Sequence, residues 1–296
     1  MSKRGKKHIW KAILTGLVWA LIVAFFVGAA ILRSNNEQSR RVKKLTVEIT
    51  DSARNNLISK ASIEALVMQA GLNPVGLPID SVSLLAINNL VEEYCFTRSA
   101  QTFVDYDGVV TIRLTQREPT ARVITNQGRD FYLTVGAHVL PTHVGEAINL
   151  PLITGDLEVP FPKNFKGDLR AWASANKKNS DKNYKFILKL INFVRLLEEY
   201  PEVGQNVVQV VLTKAPSSGP ASNPEPRVEL VPREGNYLVQ IGSLEHAERK
   251  LDQWRRFVAA GVVNLNEEGV LNVSFDGQAV WKKAVAPDKE KAKKRK

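Results

Sequence analysis

The sequence predicts an α+β protein in which one transmembrane helix precedes two sheet-containing modules. Three observations carry this prediction. An uncharged apolar run extends from Ala12 to Leu32, residues 45–118 read as a βααββ module, and residues 119–283 contain short β-branched or aromatic segments separated by Gly, Pro and Asn. Two helical stripes interrupt those segments, so we expect a β-rich second domain with two helices.

The apolar run from Ala12 to Leu32 has the length of a membrane-spanning helix. Its 21 residues would extend about 31 Å as an α-helix, which matches a hydrocarbon core of about 30 Å. The core of a cleaved signal peptide is shorter, about 7 to 15 residues. The small residues Gly28 to Ala30 resemble a cleavage site, but they lie inside the run rather than after it. The run is therefore predicted to remain in the mature protein as an anchor.

Charges on the two sides of the run do not by themselves set its orientation. Five Lys or Arg residues precede it within residues 1–11 and five follow it within residues 33–44, so the positive-inside count is a tie. The leader is short, however, and a long following segment is translocated largely regardless of its charge. We therefore expect residues 1–11 in the cytoplasm, residues 33–44 as a linker, and the remainder outside the cytoplasm. The single cysteine, Cys95, cannot form an intramolecular disulfide and says nothing about the compartment.

The distribution of charge argues against a nucleic-acid partner. The net charge is +11, but residues 1–44 carry +9 and residues 282–296 carry +6, which leaves −4 for residues 45–281. A folded nucleic-acid-binding domain carries its basic patch on the folded part. Here the N-terminal charges flank a membrane and can contact anionic lipid, and residues 284–296 are predicted to form a disordered basic tail.

The first module, residues 45–118, begins with a strand and two helices. Residues 45–49 alternate between apolar and polar side chains, as in a half-buried strand. Each of the two helical stripes that follow has an expected N-cap, Ser62 for the first and Asp80 or Ser81 for the second. The apolar residues of these stripes are Ile63, Leu66, Val67 and Ala70, and then Leu84, Ile87, Val91 and Tyr94.

Two further strands are predicted to close the first module as a hairpin. Residues 100–104 and 110–114 both alternate, with Asp107-Gly108 between them. Asp-Gly between alternating segments predicts a type I′ turn, in which both central residues have positive φ. The string from Asp105 to Gly108 could also suggest a calcium site, but it lacks the later ligands and the terminal Glu of a calcium loop, so the turn is favoured.

The second domain, residues 119–283, is predicted from short strands and two longer helical stripes. Its strand segments are residues 123–125, 131–133, 207–212, 228–231, 237–241 and 271–275. The stripes are Ile187, Leu190, Ile191, Val194 and Leu197, and then Leu244, Ala247, Leu251, Trp254 and Val258. Ser243 is the expected N-cap of the second helix, whose stripe is too short for a coiled-coil seam and is expected to pack on its own sheet. Residues 165–184 and 214–227 are expected to be long surface loops.

The usual local signatures of catalysis are absent from the sequence. It contains no nucleophile elbow, no metalloprotease helix, no paired cysteines and no phosphate-binding loop. His138 and His143 have no clear third ligand, and Cys95 has the setting of a small core residue. The acidic pairs Glu198-Glu199 and Glu267-Glu268 point in different directions on a helix or strand. We therefore expect no enzyme activity, no cofactor and no metal site.

Five segments carry a resemblance to a known family. They are Gln116–Ala121, Phe131–Leu133, Val139–Pro141, Val228–Arg233 with Gly235-Asn236, and Val273–Gln278. In this order, after a basic leader, an anchor and a βααββ module, they resemble the FtsQ/DivIB family of bacterial cell-division proteins. The resemblance covers about residues 1–283, and it implies a POTRA domain over residues 45–118 and an FtsQ-like β domain over residues 119–283.

The resemblance also implies a function. The chain would be a non-catalytic, single-pass scaffold of the inner membrane at the division site, with the POTRA domain contributing to its placement there. Its partners would be similar to FtsB and FtsL, and indirectly to the septal synthase pair FtsW and FtsI. Two other classes remain as alternatives. One is a POTRA-bearing component of a protein export or outer-membrane assembly system that receives clients by strand addition, and the other is an anchored cell-wall enzyme.

The predicted partner site is the last strand, residues 270–275, with a continuation that can reach Trp281. An edge strand presents unpaired N–H and C=O groups that a partner strand can complete. In FtsQ proteins the C-terminal strand region contacts an FtsB-like partner, and the resemblance places that contact here. The candidate residues are Leu271, Val273, Phe275, Gly277, Val280 and Trp281. In the alternative interpretation Phe275 is an ordinary core residue and Trp281 only covers the surface.

Overall fold

The computed structural model describes residues 10, 14–29, 40–52, 57–142, 148–215, 225–261, 266–275 and 277–283. The chain separates into two compact units, Met1–Gln116 and Arg117–Lys296. Most of the leader and of the linker, together with His143 and the basic tail 284–296, lie outside the described residues.

Residues 14–29 form a helix, α1, within the predicted anchor. Its large apolar side chains are exposed, among them Leu21, Phe25 and Phe26, at 62%, 72% and 67%. Within the described ranges, no helix has both the length and the apolar character that a membrane span requires. The ends of the predicted anchor, residues 12–13 and 30–32, lie outside those ranges.

The first unit confirms the predicted βααββ order. Its elements are β1 (Lys44–Ile49), α2 (Lys60–Gln69), α3 (Leu84–Glu93), β2 (Thr97–Val104) and β3 (Val109–Gln116). The sheet order is β1-β3-β2, with β1 parallel and β2 antiparallel to β3. The core forms where both helices turn their apolar stripes inward, since Ile63, Val67, Ile87 and Val91 are all at most 1% exposed.

Several local details of the first unit differ from the predictions. The N-caps are Ser59, whose hydroxyl accepts from the Ser62 N–H, and Ser83, which caps α3 after a short 3₁₀ turn at Ile79–Ser81. The hairpin turn is not type I′, because Gly108 has φ +81° while Asp107 is not among the described residues with positive φ. Instead the Asp105 carbonyl accepts from the Gly108 N–H, and its carboxylate accepts from the Val109 N–H at 2.8 Å.

The second unit is built on one sheet of ten strands. Its order is β13-β12-β11-β10-β9-β7-β4-β5-β6-β8. The strands are β4 (Pro119–Thr125), β5 (Asp130–Thr134), β6 (His138–Pro141), β7 (Leu152–Gly155), β8 (Gly167–Asp168), β9 (Val207–Thr213), β10 (Arg227–Pro232), β11 (Tyr237–Gly242), β12 (Gly269–Asn272) and β13 (Val280–Lys283). Pairs β4/β7, β7/β9 and β11/β12 are parallel, and the other neighbours are antiparallel.

Helices bury one face of this sheet. The two predicted helices are present as α5 (Lys182–Glu198) and α7 (Ala247–Ala260), and two short ones add to them, α4 (Leu169–Ala175) and α6 (Pro201–Gly204). Leu190, Leu251 and Trp254 are fully buried in the same cluster as the inward residues of the strands. Along β10 buried residues alternate with half-buried ones, so the opposite face of the strand is more open.

The stretch 165–184 was expected to be a surface loop, and that expectation is wrong. It contains β8 and α4, with Asp168 capping α4 through its carboxylate. Phe161, Phe165 and Trp172 pack together with ring centroids 5.1 to 6.2 Å apart. The Arg129 guanidinium lies over the Phe161 ring and donates to the carbonyls of Phe161 and Pro162, and burial lowers its pKa. An aromatic cluster and a half-buried cation therefore fix this stretch to the core.

Substitution of Gly155 by Ala is expected to loosen the second unit. Gly155 has φ +106°, and an added Cβ would overlap the carbonyl oxygen of Leu212 on the parallel neighbour β9. We expect a loss of about 2 to 3 kcal/mol, measured as faster hydrogen exchange of the β7 and β9 amides. Gly128→Ala is the matched control, because Gly128 also has positive φ but open space around it. Equal protection in the two variants would contradict the predicted overlap.

Candidate partner-binding site

The large sheet ends at β13 on one side and at the two-residue strand β8 on the other, and β13 rather than residues 270–275 is the edge at the C-terminal side. β12 pairs with β11 in parallel and with β13 in antiparallel register, so both of its sides are occupied. It also ends at Asn272, three residues before Phe275. The interpretation of residues 270–275 as the edge is therefore wrong. β13 ends the sheet order, and among the described strands its one neighbour is β12.

A tight reversal brings β13 back along β12. The Asn272 side chain accepts from the N–H and the hydroxyl of Ser274 at 2.9 and 2.6 Å, which turns the chain immediately after the strand. Gly277 has φ +74°, a conformation that favours glycine. Val280 to Lys283 then pair with Asn272 back to Gly269. This reversal, with its bend at Gly277, is the reason that β12 is interior.

Trp281 holds β13 against α7 and β11. Its ring stacks on Phe257 of α7 with centroids 6.1 Å apart and lies 5.9 Å from the ring of Tyr237 on β11. It also covers Gly269, where any side chain would overlap the indole. Lys283 adds an ion pair with Glu267 at 2.8 Å. Among the side chains of this short edge strand, Trp281 therefore makes the main packing contacts with the rest of the domain.

A buried hydrogen bond joins α7 to β11 next to the contacts of Trp281. The indole N–H of Trp254, which is 0% exposed, donates to the Tyr237 hydroxyl at 3.2 Å. Burial raises the pKa of Tyr237, and the hydrogen bond from Trp254 opposes that rise in part. Because the Trp254 N–H would cost free energy if it were buried without an acceptor, this contact favours the observed packing of α7 on β11.

The start of α7 differs from the prediction that Ser243 caps it. The helix begins at Ala247, after His246 in a left-handed conformation, and within the described part of the chain no side chain caps it by a hydrogen bond. Ser243 has another role, since its carbonyl accepts from the buried ammonium of Lys250 at 2.7 Å. Gly261 ends the helix with φ +59°, a left-handed conformation that favours glycine.

The six predicted site residues do not share one surface. Leu271 and Val273 are 0% exposed and belong to the core, and Gly277 forms the bend. Phe275 is 54% exposed and Val280 is 46% exposed. The alternative assignment of Phe275 to the core and Trp281 to a surface cover is thereby reversed, because Trp281 packs on the core cluster.

A groove beside β13 contains residues that the sequence reasoning missed. It encloses about 480 Å³ and is lined by Arg249, Asp252, Gln253, Arg256, Phe257, Gly277 and Ala279. Asp252 forms ion pairs with Arg255 and Arg256 at 2.5 and 2.7 Å. These contacts lower the pKa of the Asp252 carboxyl, and the hydrogen bond from Arg255 is the largest cause. Arg249 and Arg256 lie seven residues apart on one helix face, and that spacing could have revealed the groove.

In the other polar clusters of the described ranges, the side chains hydrogen-bond to one another or lack the geometry of metal ligands. A cleft of about 560 Å³ lies where β4, β7 and β9 end, but Asp156 accepts from Asn126 and Glu158 accepts from Asn183, at 2.7 and 3.1 Å. Burial lowers the pKa of His138. Among the described residues no group of three or more His, Cys, Asp or Glu is placed to hold a metal ion.

The fold and this edge define a class of protein, in which a three-stranded POTRA-like module precedes a β-rich domain with a short edge strand. Family models match both parts, the POTRA-like domain over residues 40–115 and the FtsQ/DivIB C-terminal related domain over residues 118–281. No curated protein matches the sequence. The chain belongs to the FtsQ/DivIB family, a family of non-enzymatic scaffolds found in the membrane at the division site.

Proposed function

We propose that this chain is a bitopic scaffold of the bacterial division machinery that captures an extended partner segment at β13. Family membership supports a role in division. The observation that carries the capture step is the position of β13 at the end of the ten-strand sheet. The scaffold itself performs no catalysis, and its output is the recruitment of other single-span division proteins.

The anchor of this scaffold is the run from Ala12 to Leu32. The chain crosses the inner membrane once there, with residues 1–11 in the cytoplasm and both folded units outside it. Support comes from the length of the run and from α1, whose large apolar side chains have no cover from the chain's own core. Lipid tails would remove that apolar surface from water.

Strand addition at β13 fits the chemistry of the edge. A partner strand would complete the backbone groups of β13 that point away from β12. On one face of the sheet, the side chains of the added strand would lie beside Val280 and Lys282. On the other face they would lie beside Trp281, on the side of the sheet that α7 covers. Arg256 in the neighbouring groove and Lys282 at the edge are exposed cations, which favour acidic side chains next to the added strand.

The partner that we assign to this edge is an FtsB-like protein, with an FtsL-like protein in the same complex. Through them the scaffold would be connected to an FtsW/FtsI-like synthase, and so to septal cell-wall synthesis. These identities rest on the family of the chain. The edge strand and its exposed cations add support for a captured segment that is extended and carries negative charge.

Complementation of depleted cells tests the proposal with a matched pair of truncations. A chain ending at Ala279 lacks β13, whereas a chain ending at Lys283 retains it and lacks only the basic tail. We expect depletion to produce filaments without septa, the longer truncation to restore division, and the shorter one to fail. Co-purification should recover the FtsB-like partner with the longer chain only, because only that chain contains β13 as the edge strand.

Two outcomes would contradict the proposal at different levels. Normal septation in depleted cells would remove the division function. Restored septa and partner recovery with the chain ending at Ala279 would leave the division function in place but remove β13 as the capture edge. Expression level and hydrogen exchange of β10 and β11 serve as controls for folding of both truncations.

A further inference from the structure

The chain enters the POTRA-like unit between two surface loops. Residues 40–43 are bonded on one side to the loop of residues 74–78, where the Gly76 N–H donates to the Val42 carbonyl at 2.8 Å. On the other side the Lys43 N–H donates to the carbonyl of Gly108 in the β2–β3 turn, also at 2.8 Å. Both loops therefore flank the point at which the linker from the membrane anchor arrives.

Two arginines brace these loops. The Arg41 guanidinium donates to the Gly76 carbonyl at 2.8 Å. The Arg40 guanidinium lies 4.2 Å from the centre of the Tyr106 ring and also donates to the Tyr106 carbonyl. The arginines thus stiffen the two loops while they remain at the surface, since Arg41 is exposed and Arg40 is half-buried.

Each loop exposes an apolar or aromatic tip. Tyr106 is 85% exposed, and Val75 and Leu77 are each 44% exposed. Neighbouring Val42, by contrast, is 2% exposed. The core of the unit is therefore complete without the three tips, whose apolar surface remains in contact with solvent.

The composition of this surface is that of a membrane interface. Tyrosine and tryptophan are enriched at the headgroup level, where an aromatic ring meets the hydrocarbon boundary and a polar end stays in water. Basic side chains near a bilayer gain from anionic headgroups, and Arg40, Arg41, Lys43 and Lys44 supply them here. Asp80, Asp105 and Asp107 reduce that positive charge, so the apolar tips are required for the contact as well as the cations.

The length of the linker brings lipid within reach. Seven residues separate Leu32, the end of the predicted anchor, from Arg40, so eight Cα–Cα steps connect the two. Even fully extended, this stretch spans at most about 28 Å. The unit cannot move further than that from the bilayer surface, and its nearest part is the end at which Arg40 and both loops lie.

We propose that residues 40–44, 74–78 and 105–108 form a membrane-facing surface that rests on the headgroup region of a bilayer containing anionic phospholipid. The inference rests on the proposed anchor, which supplies the bilayer. It adds that the POTRA-like unit is held against the lipid by Tyr106, Val75 and Leu77. The unit would then be docked on the membrane rather than swinging freely on its linker.

Spin labelling of the full chain in vesicles tests this surface. In a Cys95→Ser background, single labels are placed at Val75→Cys, at Glu92→Cys and at Ile22→Cys, in separate samples reconstituted into phosphatidylcholine vesicles with and without phosphatidylglycerol. Glu92 is the matched control, since it is exposed on the same unit at the opposite end of α3 from the loop of residues 74–78. Collisions with oxygen, which is enriched in lipid, are compared with those of a water-soluble nickel chelate.

We expect the oxygen-to-nickel ratio of the label at residue 75 to exceed that at residue 92 severalfold when phosphatidylglycerol is present. The ratio should fall towards the control value in a Tyr106→Ser, Leu77→Ser variant, and also in phosphatidylcholine alone. Equal ratios at residues 75 and 92, with residue 22 buried in lipid, would overturn the inference and leave the anchor intact. A water-exposed label at residue 22 would overturn the anchor and this surface together. A high ratio that ignores lipid charge would overturn the part assigned to the cations.

Discussion

Replacement of Trp254 by Ala is expected to lower the free energy of unfolding of the second unit by about 3 to 5 kcal/mol. The indole is 0% exposed and lies in the cluster that joins α7 to the sheet. Its removal would leave a cavity and would also deprive the Tyr237 hydroxyl of its donor at 3.2 Å. The loss should appear as faster hydrogen exchange of the β11 and β12 amides.

Tyr237→Phe separates the two contributions to that loss. It removes the hydroxyl that accepts from Trp254 while it keeps the ring, so the expected cost is about 1 to 3 kcal/mol. Exchange of the β1 and β3 amides, in the other unit, should be unchanged in both variants. If Trp254→Ala left the protection of β11 and β12 intact, the assignment of Trp254 as the main contact between α7 and the sheet would be incorrect.

Long periodic elements were predictable because their pattern repeats several times. Helix α5 has 17 residues, and its five predicted stripe residues are all buried. In β3 of the first unit, the predicted apolar positions 110, 112 and 114 are likewise all buried. Short elements are specified by their neighbours instead. β6 and β7 have four residues each, too few for a period to stand out, and α4 was missed although Asp168 is a regular N-cap.

The site shows the same limit more sharply. Alternation at Leu271 and Val273 is the same for an edge strand and an interior strand, so the pattern could not tell which one is present. Whether β12 is an edge or an interior strand is determined by the chain reversal at Asn272 and Gly277, which pairs the last four described residues with β12. In the sequence, the two lysines after Trp281 resemble the start of the basic tail rather than a strand.

The connection through α7 explains why a strand is available at this end of the sheet. β11 and β12 are parallel, and parallel neighbours need a crossover, which α7 provides. The crossover places Phe257 over the outer part of the sheet, where the antiparallel return of β13 brings Trp281 beneath it. One helix therefore supports both the last interior strand and the edge.

Trp281→Ala is expected to weaken capture of the FtsB-like partner by about 2 kcal/mol or more, roughly 30-fold in affinity. The substitution removes the ring that stacks on Phe257 and covers Gly269. Strand β13 would then pack less firmly on the sheet, and the partner would lose an ordered edge to pair with. Phe257→Ala removes the same stacking contact from the α7 side without changing a residue of β13, and it should have a similar effect because it also loosens the edge strand. Trp281→Phe should retain most of the affinity.

Phe275→Ala distinguishes a direct contact from this positioning effect. Phe275 is 54% exposed on the turn before β13, so its loss should weaken binding while hydrogen exchange of β12 and β13 stays as slow as in the parent chain. In Trp281→Ala, weaker binding should instead accompany faster exchange of those amides. Calorimetry with the FtsB-like partner measures the affinities. Unchanged affinity in both Trp281→Ala and Phe275→Ala would rule out β13 and its turn as the capture site, because one substitution unseats the edge and the other removes its most exposed aromatic side chain.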